Sequence, residues 1–196
     1  DRKCEEFDRI NAFIQNTHGH THTTYTLELV DLWAVDRHGE KERFQLHSNN
    51  PNRMLLWHGS RLTNWGGILS QGLRIAPPEA PTTGYMFGKG VYFADMSSKS
   101  ANYCFTSSDK TTGILMLCEV ALGSMKEYKH AFFVDKLQPP FQSTKGVGKF
   151  MPSAEGKFVE DSGCVIPMGK GVSSGVTDTT LLYNEFIVYD TAQIRT

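Results

Sequence analysis

Leu55-Leu56-Trp57-His58-Gly59-Ser60, Gly88-Lys89-Gly90-Val91-Tyr92-Phe93-Ala94-Asp95 and Leu182-Tyr183-Asn184-Glu185-Phe186-Ile187-Val188-Tyr189 decide how this chain is read. Each stretch sets polar groups beside a short apolar run, the pattern of a buried strand with functional groups at its end. Singly, each has a plain structural meaning. His58 alone reads as a hydrogen-bonded core histidine, Tyr92 as a core aromatic with a wet hydroxyl, and Glu185 as a solvated strand end.

Around these stretches the periodicity changes repeatedly. Cys4, Phe7, Ile10, Phe13 and Ile14 fall at helical spacing, which predicts an amphipathic helix. Tyr25, Leu27, Leu29, Trp33 and Val35 share one parity, which predicts a strand over 25–35. Leu62, Trp65, Ile68 and Leu69 return to helical spacing, and Gly72 is placed to end that helix. Pro77, Pro78, Pro81, Gly84, Gly88 and Gly90 make 74–90 a loop that proline stiffens. Val91 to Ala94 reads as a short strand, Ser97 as the cap of a helix reaching Tyr103, and Ile114 to Leu122 as a central strand. Residues 138–178, rich in Pro, Gly, Ser and Lys, predict long loops, and Phe186 to Tyr189 is the last clear strand. Short strands interleaved with short helices give an α+β fold. With no repeat and no linker, residues 1–196 are expected to form a single domain.

The chain is 39% apolar and 21% charged, a globular rather than a disordered composition. Its net charge of -1 lacks the basic excess of a nucleic-acid binder, so any DNA contact is expected from another part of a parent protein. Cys4, Cys104, Cys118 and Cys164 form no C-x-x-C pair and read as reduced thiols of an intracellular protein. The apolar run Ile114 to Cys118 is too short to span a membrane. The sequence starts at Asp1 rather than Met, which suggests a piece of something longer.

Several motifs fail on spacing. Gly169-Lys170-Gly171 continues to Gly175, which does not match G-x-G-x-x-G, and no helix is expected after it. Gly84 to Lys89 lacks the spacing and the Ser/Thr of a P-loop. His18, His20 and His22 alternate without a nearby Cys or acidic ligand, so no metal is expected there.

Together, the three opening stretches resemble the His-Tyr-Glu signature of the diphtheria-toxin-like ADP-ribosyltransferases. More narrowly, they resemble the catalytic domain of the DNA-damage-dependent poly(ADP-ribose) polymerases. The resemblance runs from about Phe7 to the C-terminus. It is densest from Leu55 to Asn102, through Gly72-Leu73-Arg74-Ile75-Ala76-Pro77-Pro78-Glu79-Ala80-Pro81 and Gly84-Tyr85-Met86-Phe87-Gly88-Lys89-Gly90. It implies two small facing, mainly antiparallel sheets with NAD⁺ as co-substrate in the cleft between them, and no metal. It also implies a nuclear enzyme acting on protein acceptors and on the growing poly(ADP-ribose) chain, and inhibited by nicotinamide-like compounds.

The resemblance assigns roles as well. Glu185 would be the catalytic carboxylate, with His58, Tyr92 and Lys99 beside it. His58 would hydrogen-bond the adenosine ribose, Ser60 would help there, and Asn64, Gly72 and Arg74 would line the adenine end. Gly59 backbone and the Ser100 hydroxyl would grip the nicotinamide carboxamide, whose donor and acceptor faces need such partners. Tyr92 and Tyr103 would sandwich the ring, with Tyr85 also on the NAD⁺ side. His22, Met86 and Tyr183 would line the acceptor side. Displacing nicotinamide from the ribose passes through an oxocarbenium-like state, which a carboxylate below the sugar stabilises while it orients or deprotonates the acceptor. Keeping Glu185 favours chain elongation over a single transfer, so a mono-ADP-ribosyltransferase is the nearer alternative and a silent NAD⁺- or ADP-ribose-binding module the more distant one.

Two departures set further expectations. Regulated members carry a helical regulatory domain and DNA-binding modules before the catalytic fold, whereas only a short helix precedes the three stretches here. Turnover by this piece is therefore expected to be independent of DNA. The family also continues past the Glu-bearing strand into another strand, whereas this sequence stops at Thr196, which predicts an open sheet edge. Benzamide-like rings are expected to compete with NAD⁺, and Ser100→Ala to weaken them by roughly 1–2 kcal/mol as a buried amide loses a partner. Calorimetry reads this directly, and unchanged affinity removes Ser100 from the site.

Overall fold

The apolar run leading into His58 is the middle strand of the largest sheet. A computed structural model describes residues 4–77, 79 and 84–196, so Pro78, Ala80 and Pro81 of the expected loop lie outside the described residues. β1 (Arg53–Gly59) pairs antiparallel with β3 (Leu115–Ala121) and parallel with β8 (Val165–Ile166). β7 (Phe158–Val159) and β12 (Ile194–Arg195) complete this five-stranded sheet at its two edges. A second, four-stranded sheet runs in the order β2 (Val91–Phe93), β11 (Glu185–Val188), β5 (Ser143–Gly146) and β4 (Met125–Tyr128). In a third sheet of three strands, β6 (Gly148–Pro152) lies between β10 (Leu181–Tyr183) and β9 (Gly171–Ser173).

The expected α+β architecture and mainly antiparallel pairing are present, with the strands in three sheets rather than two. Strand alternation builds the layers. Leu56 of β1 packs with Met116, Cys118 and Val120 of β3 against Phe93 of β2 and Phe186 and Val188 of β11, joining the two larger sheets face to face. The next residue, Trp57, points to the opposite face. There it meets Ile10, Phe13 and Ile14 of α1 (Glu5–Asn16), with the Phe13 and Trp57 rings 4.7 Å apart. Ile187 likewise turns away from Phe186 to pack with Phe87 and Leu181.

Four local expectations differ from the structure. Residues 25–35 pair with no strand: Leu27 and Leu29 rest on the α1 cluster, while Trp33 is 74% exposed. Alternation reports which face an extended chain buries, not whether its backbone finds a ladder partner. Residues 138–178 hold β5 to β9 rather than long loops, because strands of two to five residues are too short to show a period. Ser97 does not cap α4 (Ser97–Ala101). Met96 flanks that helix, and the Ser97 hydroxyl instead donates to the Ile14 carbonyl at 2.8 Å, tying α4 to α1. A strand also follows the Glu-bearing one: β12 covers the edge of β3.

α2 (Glu40–Phe44) and α3 (Trp65–Gln71) sit outside the sheets, and Gly72 ends α3 as expected, with φ 80°. Among the described residues no helix is long and apolar enough to cross a membrane. One contact fixes the layer that matters below. A Cβ on Gly59 would lie 1.9 Å from the Ser100 carbonyl oxygen, so β1 and α4 approach each other only because this residue has no side chain. Gly59→Ala is expected to destabilise the fold by at least ~1–3 kcal/mol, since backbone must move to admit the methyl. The urea midpoint measures this, and a wild-type midpoint would show that β1 and α4 are not so tightly apposed.

Candidate active site

Helix α4, the start of β11 and the loop carrying the histidines converge on a cavity of about 350 Å³. Glu185, Lys99 and Tyr103 line it together with His22, Met86 and Tyr183, which brings six of the sequence-predicted residues to one place. Glu185 is the first residue of β11, just past the two-strand corner made by Tyr183 and Asn184.

Lys99 holds that corner. Its ammonium donates to the Tyr183 carbonyl at 2.9 Å and the Asn184 carbonyl at 3.0 Å, and pairs with Glu185 Oε1 at 3.0 Å. Those three contacts use all three of its donors. Burial lowers the Lys99 pKa, and the Glu185 charge works against that shift. Among the described residues, Glu185 Oε2 is buried and finds no hydrogen-bond partner. One oxygen of the carboxylate is therefore fixed and the other is free to accept a hydroxyl proton donor. Tyr103 presents a ring that is 54% exposed beside the cavity. Burial and the Glu185 charge both raise its phenol pKa.

His58 sits at the end of β1 and donates from Nδ1 to the Tyr92 carbonyl at 2.9 Å. That bond sets the tautomer and leaves Nε2 as an acceptor. Burial lowers the His58 pKa, favouring the neutral ring. Tyr92 does not line the cavity. Its hydroxyl accepts from the Phe87 N–H at 3.0 Å and donates to the Gly88 carbonyl at 2.7 Å, with the Tyr85 ring 6.3 Å away. Burial raises its pKa, and the Glu185 charge adds to the shift.

The remaining predicted residues are mostly engaged within the fold. Ser100 is buried and its hydroxyl donates to the Trp57 carbonyl at 2.9 Å, so donation to a ligand would compete with that bond. Asn64 donates to the Ser60 hydroxyl at 2.9 Å, and Arg74 to Gln71 at 2.8 Å. Gly72 is crowded by the Arg37 guanidinium, 2.4 Å from where a Cβ would stand. Gly59, Ser60, Asn64, Gly72 and Arg74 thus lie along the end of β1 and around α3, outside the cavity that holds Glu185.

His22 is wired on both nitrogens. Nδ1 donates to Ser98 Oγ at 2.7 Å, and Nε2 accepts from Asn102 Nδ2 at 3.1 Å. His18 spends Nε2 on the His22 carbonyl at 2.8 Å, and His20 packs edge-on against Phe150. Among the described residues no group of three or more His, Cys, Asp or Glu side chains could hold a metal ion.

A family model for the poly(ADP-ribose) polymerase catalytic domain matches residues 4–196. The chain belongs to that family. It is 58% identical to poly(ADP-ribose) polymerase 2-A of Oryza sativa subsp. japonica and 56% identical to poly(ADP-ribose) polymerase 2 of Arabidopsis thaliana, each over 97% of this chain. It is 53% identical to poly(ADP-ribose) polymerase 1 of Gallus gallus over 100% of the chain. These matches cover 29%, 30% and 19% of the relatives' own lengths, so the chain spans a third or less of each.

Sequence reasoning gave no role to three polar residues linked to the Glu185 cavity: Asn102, Asn184 and Asp95. For Asp95 and Asn184 the available signal was a polar residue at the edge of an apolar run. Asn102 lines the cavity and accepts from the Tyr25 hydroxyl at 2.6 Å. Because His58 is held neutral, its folded pKa lies below its unfolded one. Between the two, the unfolded chain binds more protons, so this histidine makes stability fall as pH drops below about 6.5. His58→Gln is expected to flatten the loss of urea stability between pH 7.5 and 5. An unchanged slope would mean that the ring charges freely in the folded state.

Proposed function

We propose that this chain transfers the ADP-ribosyl unit of NAD⁺ to protein acceptors and to the end of a growing poly(ADP-ribose) chain, releasing nicotinamide. The observation that carries this reading is the Glu185 carboxylate, with one oxygen clamped by Lys99 and the other without a hydrogen-bond partner among the described residues. The residues fit the substrate. Glu185 Oε2 can accept from a ribose hydroxyl, His58 Nε2 from a second ribose hydroxyl, and the exposed face of Tyr103 can stack on a flat ring.

In the transfer, the bond from the ribose anomeric carbon to the pyridinium nitrogen breaks and its electron pair stays with nicotinamide. Positive charge builds on the sugar, where the Glu185 carboxylate stabilises it. An acceptor oxygen then bonds to the anomeric carbon and gives its proton to Glu185. Gly59, Ser100 and the rings of Tyr92 and Tyr103 serve the nicotinamide end, with Tyr85 beside them. His58, Ser60, Asn64, Gly72 and Arg74 serve the adenosine end. His22, Met86 and Tyr183 serve the acceptor side, a role supported by their lining the same cavity as Glu185. The reading sets this reaction in the nucleus, in a response to DNA damage.

Glu185→Gln keeps the shape and removes the charge. NAD⁺ affinity by calorimetry is expected to change little. Transfer is expected to fall by about 10²–10⁴-fold, or roughly 3–5 kcal/mol, with polymer length on a gel suffering more than slow NAD⁺ hydrolysis. Long polymer from this variant would refute the mechanism.

A further inference from the structure

Asp95 is a buried carboxylate with no task in the reaction above. It follows the apolar run of β2, precedes α4 and is 3% exposed. Its Oδ2 accepts from Asn184 Nδ2 at 2.7 Å, while Oδ1 has no hydrogen-bond partner among the described residues. Asn184 Oδ1 accepts from the Gly148 N–H at 2.9 Å, so the amide is oriented from both ends. The carbonyl of the same Asn184 takes one proton of Lys99, and the next residue, Glu185, takes another. Asp95, Asn184, Lys99 and Glu185 therefore form one connected cluster reaching from the core to the cavity.

A neutral amide at position 95 could accept the same hydrogen bond without the penalty of burying a charge. Burial pushes the Asp95 carboxyl up to about 6, and the charges of Lys99 on α4 and Lys145 on β5 act against that shift. Lys99 is pressed towards the neutral form by burial, and both Glu185 and Asp95 oppose that. A neutral Lys99 would leave a buried carboxylate and two backbone carbonyls with a weaker donor.

We propose that Asp95 is a positioning residue for the transfer: it locks the Asn184 amide and balances the Lys99 ammonium, and so fixes the Glu185 carboxylate with its second oxygen free. The proposal deepens the transferase reading above and rests on it.

Asp95→Asn preserves the hydrogen bond to Asn184 and removes the charge. Two measurements on this variant and the wild type separate the possibilities. The first is the Lys99 titration, followed by the ¹³Cε shift of labelled lysine, which needs no turnover. The second is the pH profile of kcat and the KM for NAD⁺. The Lys99 midpoint is expected to fall, and the alkaline limb of kcat to move to lower pH with it. At mildly alkaline pH, kcat falls by about tenfold while KM for NAD⁺ stays within about twofold, a change confined to the transition state. Melting temperature is expected to change only modestly, because the burial cost removed at position 95 is offset by the balance that the Lys99 ammonium loses. An unmoved Lys99 midpoint overturns the proposal, as does an unmoved alkaline limb. Loss of melting temperature and NAD⁺ affinity together also overturns it, by making Asp95 a scaffold residue only. Absence of turnover in the wild type would instead strike the transferase reading, and the lysine titration would still be read.

Discussion

The Lys99 ammonium is the point on which the candidate active site depends. It stands where α4 meets the corner between β10 and β11, and its three protons go to two backbone carbonyls and one carboxylate oxygen. A cation placed there does two jobs at once. It donates to the two carbonyls of the strand-to-strand corner, and it determines which Glu185 oxygen is available. Burial works against the charge, and the negative charges of Glu185 and Asp95 oppose that shift.

That geometry requires α4 to lie close to β1 and the two larger sheets to meet at a fixed place. Gly59 permits the first, because any side chain would collide with the Ser100 carbonyl. The second comes from a short backbone bridge in which Trp57 and Ala94 exchange hydrogen bonds of 2.9 and 3.0 Å. Next to that bridge, His58 donates to the Tyr92 carbonyl. One histidine thus joins the sheets, sets its own tautomer and leaves an acceptor outward. Several groups that the resemblance names as ligand contacts also hold the structure together, which is why Ser100 and Gly72 have partners without any substrate.

Much of this was legible in the sequence. The three quoted stretches became β1, β2 and the successive strands β10 and β11. Tyr183 and Glu185 of the last share one cavity with Lys99, Tyr103, His22 and Met86, whereas Tyr92 and the polar end of β1 do not line it. Helices α1 and α3, with Gly72 closing the second, follow from spacing and from the one residue that tolerates positive φ. What failed was local pairing. The alternating run 25–35 lies extended on the core without a ladder, and residues 138–178 hold strands of two to five residues.

The sequence by itself determined the family, through a resemblance carried by three short stretches, and named the groups proposed to react, because residue types in a short stretch are local properties that survive without coordinates. Only the tertiary structure decided which groups are free to act. Whether Glu185 has a spare oxygen, whether His58 offers Nε2 and whether Asp95 bears on Lys99 depend on partners 34 to 89 positions away along the chain. Hydrogen-bond capacity is used up by whichever groups the fold brings within reach, and that allocation is not written in any one stretch.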